Sequence, residues 1–286
     1  MDRLRGDRGQ RRGRGAERGG PVGGHHHHRG SAPLPHRTGL GRPQEDGWAR
    51  EAGDRADRQG PARVAAVTER LLYLVRHGES DFASRDFVPG PRGEQWDPPL
   101  GPRGREQAIL LARRLLSMDP PAAVYSSPLR RTLETARPFA EAAGLEVHVE
   151  EDLMEAHIGE WEGKPFEEIL ASDERILRRL RNQEPIWSHA PGAEELGAFR
   201  TRVRIAIEAI LDRHPEGNLL VVCHGGVINA YVAPLLGLDH EMFFVPENTS
   251  LNSVVVDGPR RRVRFLNDAL HLTDPHVFDE GWPGRG

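Results

Sequence analysis

Three short apolar runs, each closed by a polar residue and followed by a helix-period stretch, most constrain how this chain can fold. The runs are LLYLV at residues 71–75, AAVY at 122–125 and NLLVVCH at 218–224. Each is shorter than an ordinary helix and bounded by turn formers, which reads as a buried strand. Beyond a loop over residues 82–99, marked by the breakers in VPGPRGEQWDPP, an amphipathic helix is expected over residues 103–117. Its inner face is Ala108, Leu111, Ala112, Leu115 and Leu116. After the second run Pro128 is expected to open a helix with Leu129, Leu133, Ala136 and Ala140 facing inward. After the third, Gly225 and Gly226 lead into a helix that ends at PLLG. A strand is expected at 146–149 and a long helix striped by Leu196, Phe199, Val203, Ile207, Ile210 and Leu211. Two late strands, 253–256 and 263–266, flank a turn at 257–259. Strands alternating with helices predict a layered α/β domain with a largely parallel central sheet, which binds ligands at the carboxyl ends of its strands.

Composition then divides the chain. Only 37% of residues are hydrophobic, and the shortfall lies at the front. Residues 1–63 hold 14 Arg against 8 Asp and Glu, whereas the remaining residues carry 25 basic and 35 acidic side chains. Residues 1–66, rich in Arg, Gly and Pro, bury too little apolar surface to offset the entropy of folding and are expected to be disordered. The folded domain is expected over residues 67–274, with a short tail at 275–286. The RGDRGQRRGRG tract and the HHHH run at 25–28 are compositionally suited to RNA or to loose metal binding, but a solvated tail, or an upstream stretch included by a misplaced start, is the expected reading of both. The acidic body argues against nucleic acid as a partner of the folded domain. A single cysteine, Cys223, permits no internal disulfide. No apolar run approaches the roughly 18 residues of a membrane helix. A soluble cytoplasmic protein is the expectation, and the sequence leaves a homodimer open.

The chemistry concentrates where the strands end. Arg76 and His77 follow the first strand and precede Gly78. Arginine offers a planar fork of donors suited to phosphate, and histidine a nitrogen that is nucleophilic near neutral pH. His224, Gly225 and Gly226 repeat the design. One histidine at such a turn reads as a capping or core residue; two in one domain point to a site. In SSPLRRTLETA, Arg130 and Arg131 sit in a first helical turn, where cations oppose the helix dipole unless an anion is bound. In DLMEAHIGEWEG, Glu155, Glu160 and Glu162 are each placed to donate a proton, and the residue pattern does not rank them. His157 is not expected to react.

RHGES, SSPLxRxxxTA, LMExxxGxWEG and HGG occur in this order, and with them the chain resembles the histidine phosphatase superfamily, the phosphoglycerate mutase-like fold, over about residues 69–272. PGAEE near Pro191 and FLNDALHL at 265–272 are similar as well. The resemblance implies a three-layer sandwich with a largely parallel sheet between helices. It implies that His77 is the nucleophile that becomes phosphohistidine. Arg76, Arg131 and His224 would hold the phosphoryl oxygens, with Ser80 and Gly225 beside them, and Glu155 would be the general acid. Arg130 is then a surface residue. The implied activity is hydrolysis of a small phosphorylated metabolite, with no metal and no cofactor. A phosphoglycerate mutase and a non-catalytic phosphate-binding module are the alternatives. The chain departs from the family pattern at Ala83, where Asn is common, at Gly101 for Thr or Ser, at Thr132 for Ala and at Glu195 for Ser. Substrate choice is expected to lie with residues 172–193, including Trp187, and with the loop over residues 81–97.

Overall fold

The computed structural model describes residues 69–182 and 184–274. The Arg/Gly/Pro-rich segment, its histidine run and the C-terminal tail lie outside them. A six-stranded sheet forms the centre. Its parallel part comprises β1 (Arg70–Arg76), β4 (Ala123–Ser126), β5 (Val147–Val149) and β6 (Leu219–Cys223), and β7 (Leu251–Asp257) and β8 (Arg260–Asp268) complete it in the spatial order β5-β4-β6-β1-β7-β8. β7 runs antiparallel to β1, and β8 antiparallel to β7, so the predicted largely parallel sheet carries an antiparallel hairpin at one edge. Both late strands are longer than the apolar runs that announced them: β7 begins two residues earlier, at buried Leu251 and Asn252, and β8 alternates exposed arginines with half-buried residues along a sheet edge.

Strand alternation distributes the core. Leu72 and Leu74 of β1, with Leu219, Val221 and Cys223 of β6, face one side and pack on α5 (Leu196–Arg213) and α6 (Gly225–Leu235). Tyr73, Val75, Leu220 and Val222 face the other side and pack on α1 (Pro102–Ser117) and α2 (Arg130–Ala143). Both faces are covered, as a parallel sheet requires, and each fully buried Leu or Val contributes about 1.5–3 kcal/mol. Two helix expectations need correction. Leu116 points outward, 44% exposed, one residue beyond the face that carries Leu111 and Leu115. α2 begins at Arg130 rather than at Pro128, because Leu129 stays extended (φ −70°, ψ 138°) and the Thr132 hydroxyl donates to the carbonyls of Ser127 and Leu129.

The loop expected over residues 82–99 contains a small hairpin, β2 (Phe87–Gly90) and β3 (Gly93–Trp96), which the breakers concealed. Between β5 and α5 an insertion folds into α3 (Phe166–Ser172) and α4 (Glu174–Arg181) around a satellite core of Trp161, Ile169, Ile176, Ile186 and Ala190. A last short helix, α7 (Leu270–Thr273), closes the described chain. No described helix is long and apolar enough to cross a membrane.

Candidate active site

Register brings the two histidines together. Arg76 of β1 pairs with Cys223 of β6, so both strands stop at the same level and the next residue of each is a histidine. The His77 amide donates to the Cys223 carbonyl at 3.0 Å, and the two imidazole centroids lie 5.3 Å apart. The first turn is tight. The Gly78 amide donates to Thr135 Oγ1 at 2.9 Å, and a Cβ on Gly78 would come within 2.7 Å of the Gly104 carbonyl oxygen. Glycine is required there by close backbone approach.

The histidine tautomers follow from their partners. His77 Nδ1 lies 2.7 Å from the Gly78 carbonyl oxygen, which only accepts, so Nδ1 carries the proton and Nε2 keeps its lone pair. Burial, reinforced by Arg131 and Arg76, holds the His77 pKa well below the ordinary imidazole value. Burial, Arg131 and His77 do the same for His224. His224 Nε2 sits 2.9 Å from Ser127 Oγ, whereas its Nδ1 is buried without a partner among the described residues. Ser80 Oγ is buried and unpartnered in the same way, and Ser80 lines the cavity beside His77. Buried polar atoms are nearly always satisfied, so two orphans beside paired histidines mark a place for a polar ligand.

Two guanidiniums and one carboxylate complete the end of the cavity. Arg76 donates from Nη1 to the Pro246 carbonyl at 2.6 Å, and Arg131 to the Trp96 carbonyl at 3.0 Å. Burial lowers the pKa of both, Arg131 to about 10, so each stays charged at neutral pH. Glu155 accepts from the amides of Ala156 and Gly226, each at 3.0 Å, and shares the cavity wall with Arg76, His77 and Arg131. Its backbone is clamped as well: its carbonyl accepts from Gln95 Nε2 at 2.8 Å and from Arg202 Nη2 at 3.2 Å. Arg202 is fixed in turn by Glu194 at 2.7 Å.

Of the carboxylates that sequence alone could not rank, Glu160 is solvent-exposed, and Glu162 holds the amides of Trp96 and Ile158. Burial pushes the Glu162 carboxyl above its ordinary value. Arg130 is on the surface, paired with Asp86 at 2.8 Å. Gly226 lines the cavity, whereas the predicted Gly225 and His224 do not; His224 is fully buried behind it. The departures at Ala83, Gly101, Thr132 and Glu195 also fall outside the cavity lining. Of the described residues in 172–193, Trp187 and Ser188 line the cavity, and α3 contributes where no contribution was expected. The clamp of Gln95, Glu194 and Arg202 escaped sequence reasoning. Its one signal was a charged residue, Arg202, three positions after Phe199 on the inward stripe of α5.

The family model described as "Histidine phosphatase superfamily (branch 1)" matches residues 72–269. Phosphoserine phosphatase 1 of Hydrogenobacter thermophilus is 35% identical over 208 residues, covering 72% of this chain and 96% of its own. Phosphoglycerate mutase-like protein 4 of Arabidopsis thaliana is 29% identical over 215 residues, covering 74% and 91%. The native structure of a mycobacterial glucosyl-3-phosphoglycerate phosphatase superposes with TM-score 0.58 at 27% identity, covering 70% of this chain and all of that one. The chain belongs to branch 1 of the histidine phosphatase superfamily and is an enzyme of the phosphoric monoester hydrolase class.

Proposed function

We propose that the chain hydrolyses a small phosphomonoester through a phosphohistidine on His77, with Glu155 as general acid and base and no metal ion. The observation that carries this reading is the pair of buried unpartnered atoms, His224 Nδ1 and Ser80 Oγ, beside a His77 whose tautomer leaves Nε2 free. With Ser127 donating its hydroxyl proton to His224 Nε2, His224 Nδ1–H is left to donate to a phosphoryl oxygen. Arg76 and Arg131 offset the dianion that would otherwise repel a nucleophile. His77 Nε2 attacks phosphorus as the ester P–O bond breaks, and Glu155 gives its proton to the leaving alkoxide. Water then attacks the phosphohistidine, Glu155 takes back a proton, and inorganic phosphate leaves with His77 restored.

The relatives named as phosphoserine and glucosyl-3-phosphoglycerate phosphatases support a small phosphorylated substrate. The test is turnover of p-nitrophenyl phosphate in EDTA, with His77→Ala beside it. Activity that survives EDTA and vanishes in His77→Ala, with an acid-labile phosphoenzyme in the parent protein only, supports the reading. Loss of activity in EDTA, or turnover by His77→Ala at the parent rate, overturns it. Phosphohistidine formed from 2,3-bisphosphoglycerate without hydrolysis of other esters would select the mutase.

A further inference from the structure

The cavity that begins at His77 extends to about 630 Å³, within the range of about 300–1,000 Å³ that holds a drug-sized ligand. Beyond the phosphate end its wall is aromatic. Phe82 and Trp96 stand 5.8 Å apart on the hairpin side, and Trp187 contacts Trp161 at 6.3 Å and Phe166 at 5.7 Å on the insertion side. All five line the same space. Phe82 is 68% exposed and Phe166 40%, an arrangement that leaves apolar ring surface in water until something covers it.

The charged groups of the lining are largely committed elsewhere. Glu194 is paired with Arg202 and Arg92. Glu241 accepts from the amides of Ile186, Trp187 and Ser188. Arg85 donates to the carbonyls of Phe82 and Ser84, and it and Lys164 are solvent-exposed. Apart from Arg76 and Arg131, the arginine and lysine side chains that line the wall among the described residues are Arg85 and Lys164, both solvent-exposed, where pairing with a carboxylate gains little.

We infer that the substrate is a phosphomonoester whose leaving alcohol carries a flat aromatic or fused-ring body, rather than a small hydroxy acid or amino acid phosphate. The inference rests on the phosphatase reading of this site and adds the class of leaving group. Phosphate is held by the histidine end, and the ring slots between the two aromatic clusters. There it gains apolar burial and edge-to-face contacts that a three-carbon acid cannot make.

Leaving-group reactivity must be matched in the test, so primary alkyl esters are compared. The probes are 2-(2-naphthyl)ethyl phosphate, ethyl phosphate and O-phosphoserine for kcat/KM, with 3-(2-naphthyl)propylphosphonate and propylphosphonate for Kd by calorimetry, all on the full chain. Burial of one aromatic body predicts a preference of about 100-fold for the naphthyl compound in both kcat/KM and Kd. Trp187→Ala and the surface variant Phe166→Ser should each shrink the naphthyl-to-ethyl ratio about tenfold. Phosphoserine turned over as fast as the naphthyl ester, or the two phosphonates binding alike, overturns the inference. Tight naphthylpropylphosphonate binding without turnover of any ester removes the hydrolase reading and leaves the aromatic site standing. Turnover of phosphoserine without naphthyl preference does the reverse.

Discussion

Gly226→Ala is the sharpest probe of Glu155 as the proposed general acid. A Cβ built on Gly226 would lie 2.3 Å from Glu155 Oε1, 3.0 Å from its Cδ and 3.3 Å from Oε2. Ordinary contact needs about 3.5 Å, so the carboxylate must retreat by about 1 Å and its 3.0 Å bond from the Gly226 amide breaks. The obstacle is the tip of a flexible side chain. Gly226 lies inside α6 and is not among the glycines with positive φ, so the backbone accepts alanine, and its better helix propensity offsets any lost contact by about 0.5–1 kcal/mol. The variant therefore keeps its urea midpoint while its proton donor is misplaced. A displacement of about 1 Å in a catalytic group costs about 100-fold. The loss should appear in kcat/KM for ethyl phosphate, whose alkoxide needs a proton to leave. It should be much smaller for p-nitrophenyl phosphate, whose phenolate leaves without one. kcat/KM is the right quantity because it reports steps up to the first phosphoryl transfer and excludes the later hydrolysis of phosphohistidine. An equal loss on both esters, or no loss on ethyl phosphate, would refute the assignment of Glu155 as the acid.

Three further outcomes follow from named groups. In the substrate-free protein His77 is held neutral by burial and by Arg131 and Arg76, so imidazole ¹⁵N NMR should show a single proton, on Nδ1, as pH falls through 6.5; a midpoint at or above 6.5 contradicts the site electrostatics. Burial and Arg114 lower His271 from 6.5 to about 4, so the unfolded chain takes up the proton first. The stability this confers is complete above pH 6.5 and is lost as pH falls toward 4, at up to about 1.4 kcal/mol per pH unit. His271→Gln should flatten the urea stability profile by about one proton across that window, and an unaltered slope refutes it. Gly104→Ala would place a Cβ 2.1 Å from the Glu79 carbonyl oxygen, a backbone atom that cannot swing away. It should cost about 1–3 kcal/mol in urea unfolding, and an unchanged midpoint would show that the loop and α1 are not locked together there.

What the sequence determined on its own is local. Apolar runs stopped by polar residues and glycine were legible as β1, β4 and β6, and so was the placing of Arg76, His77 and His224 just where β1 and β6 end, whereas Arg131 was set apart from Arg130 only by the family's motif. Side-chain period and turn chemistry act over a few residues, so they are written in the chain. Glu155 stood out from Glu160 and Glu162 only through the family's motif. Its physical distinction is contact with Gly226, 71 residues away, and with Arg202 and Gln95, 47 and 60 residues away. The hairpin of β2 and β3 was hidden because Pro and Gly within it read as breakers, whereas the ladder from Phe87–Trp96 to Gly90–Gly93 holds it. Tertiary structure alone decided that His77 meets His224, because only the pairing of β1 with β6 sets the two strand ends level. It also decided that Phe82, Trp96, Trp161, Phe166 and Trp187 face one space. These residues come from a hairpin loop, a glycine-containing turn and an insertion, whose convergence is fixed by packing between segments that share no local pattern.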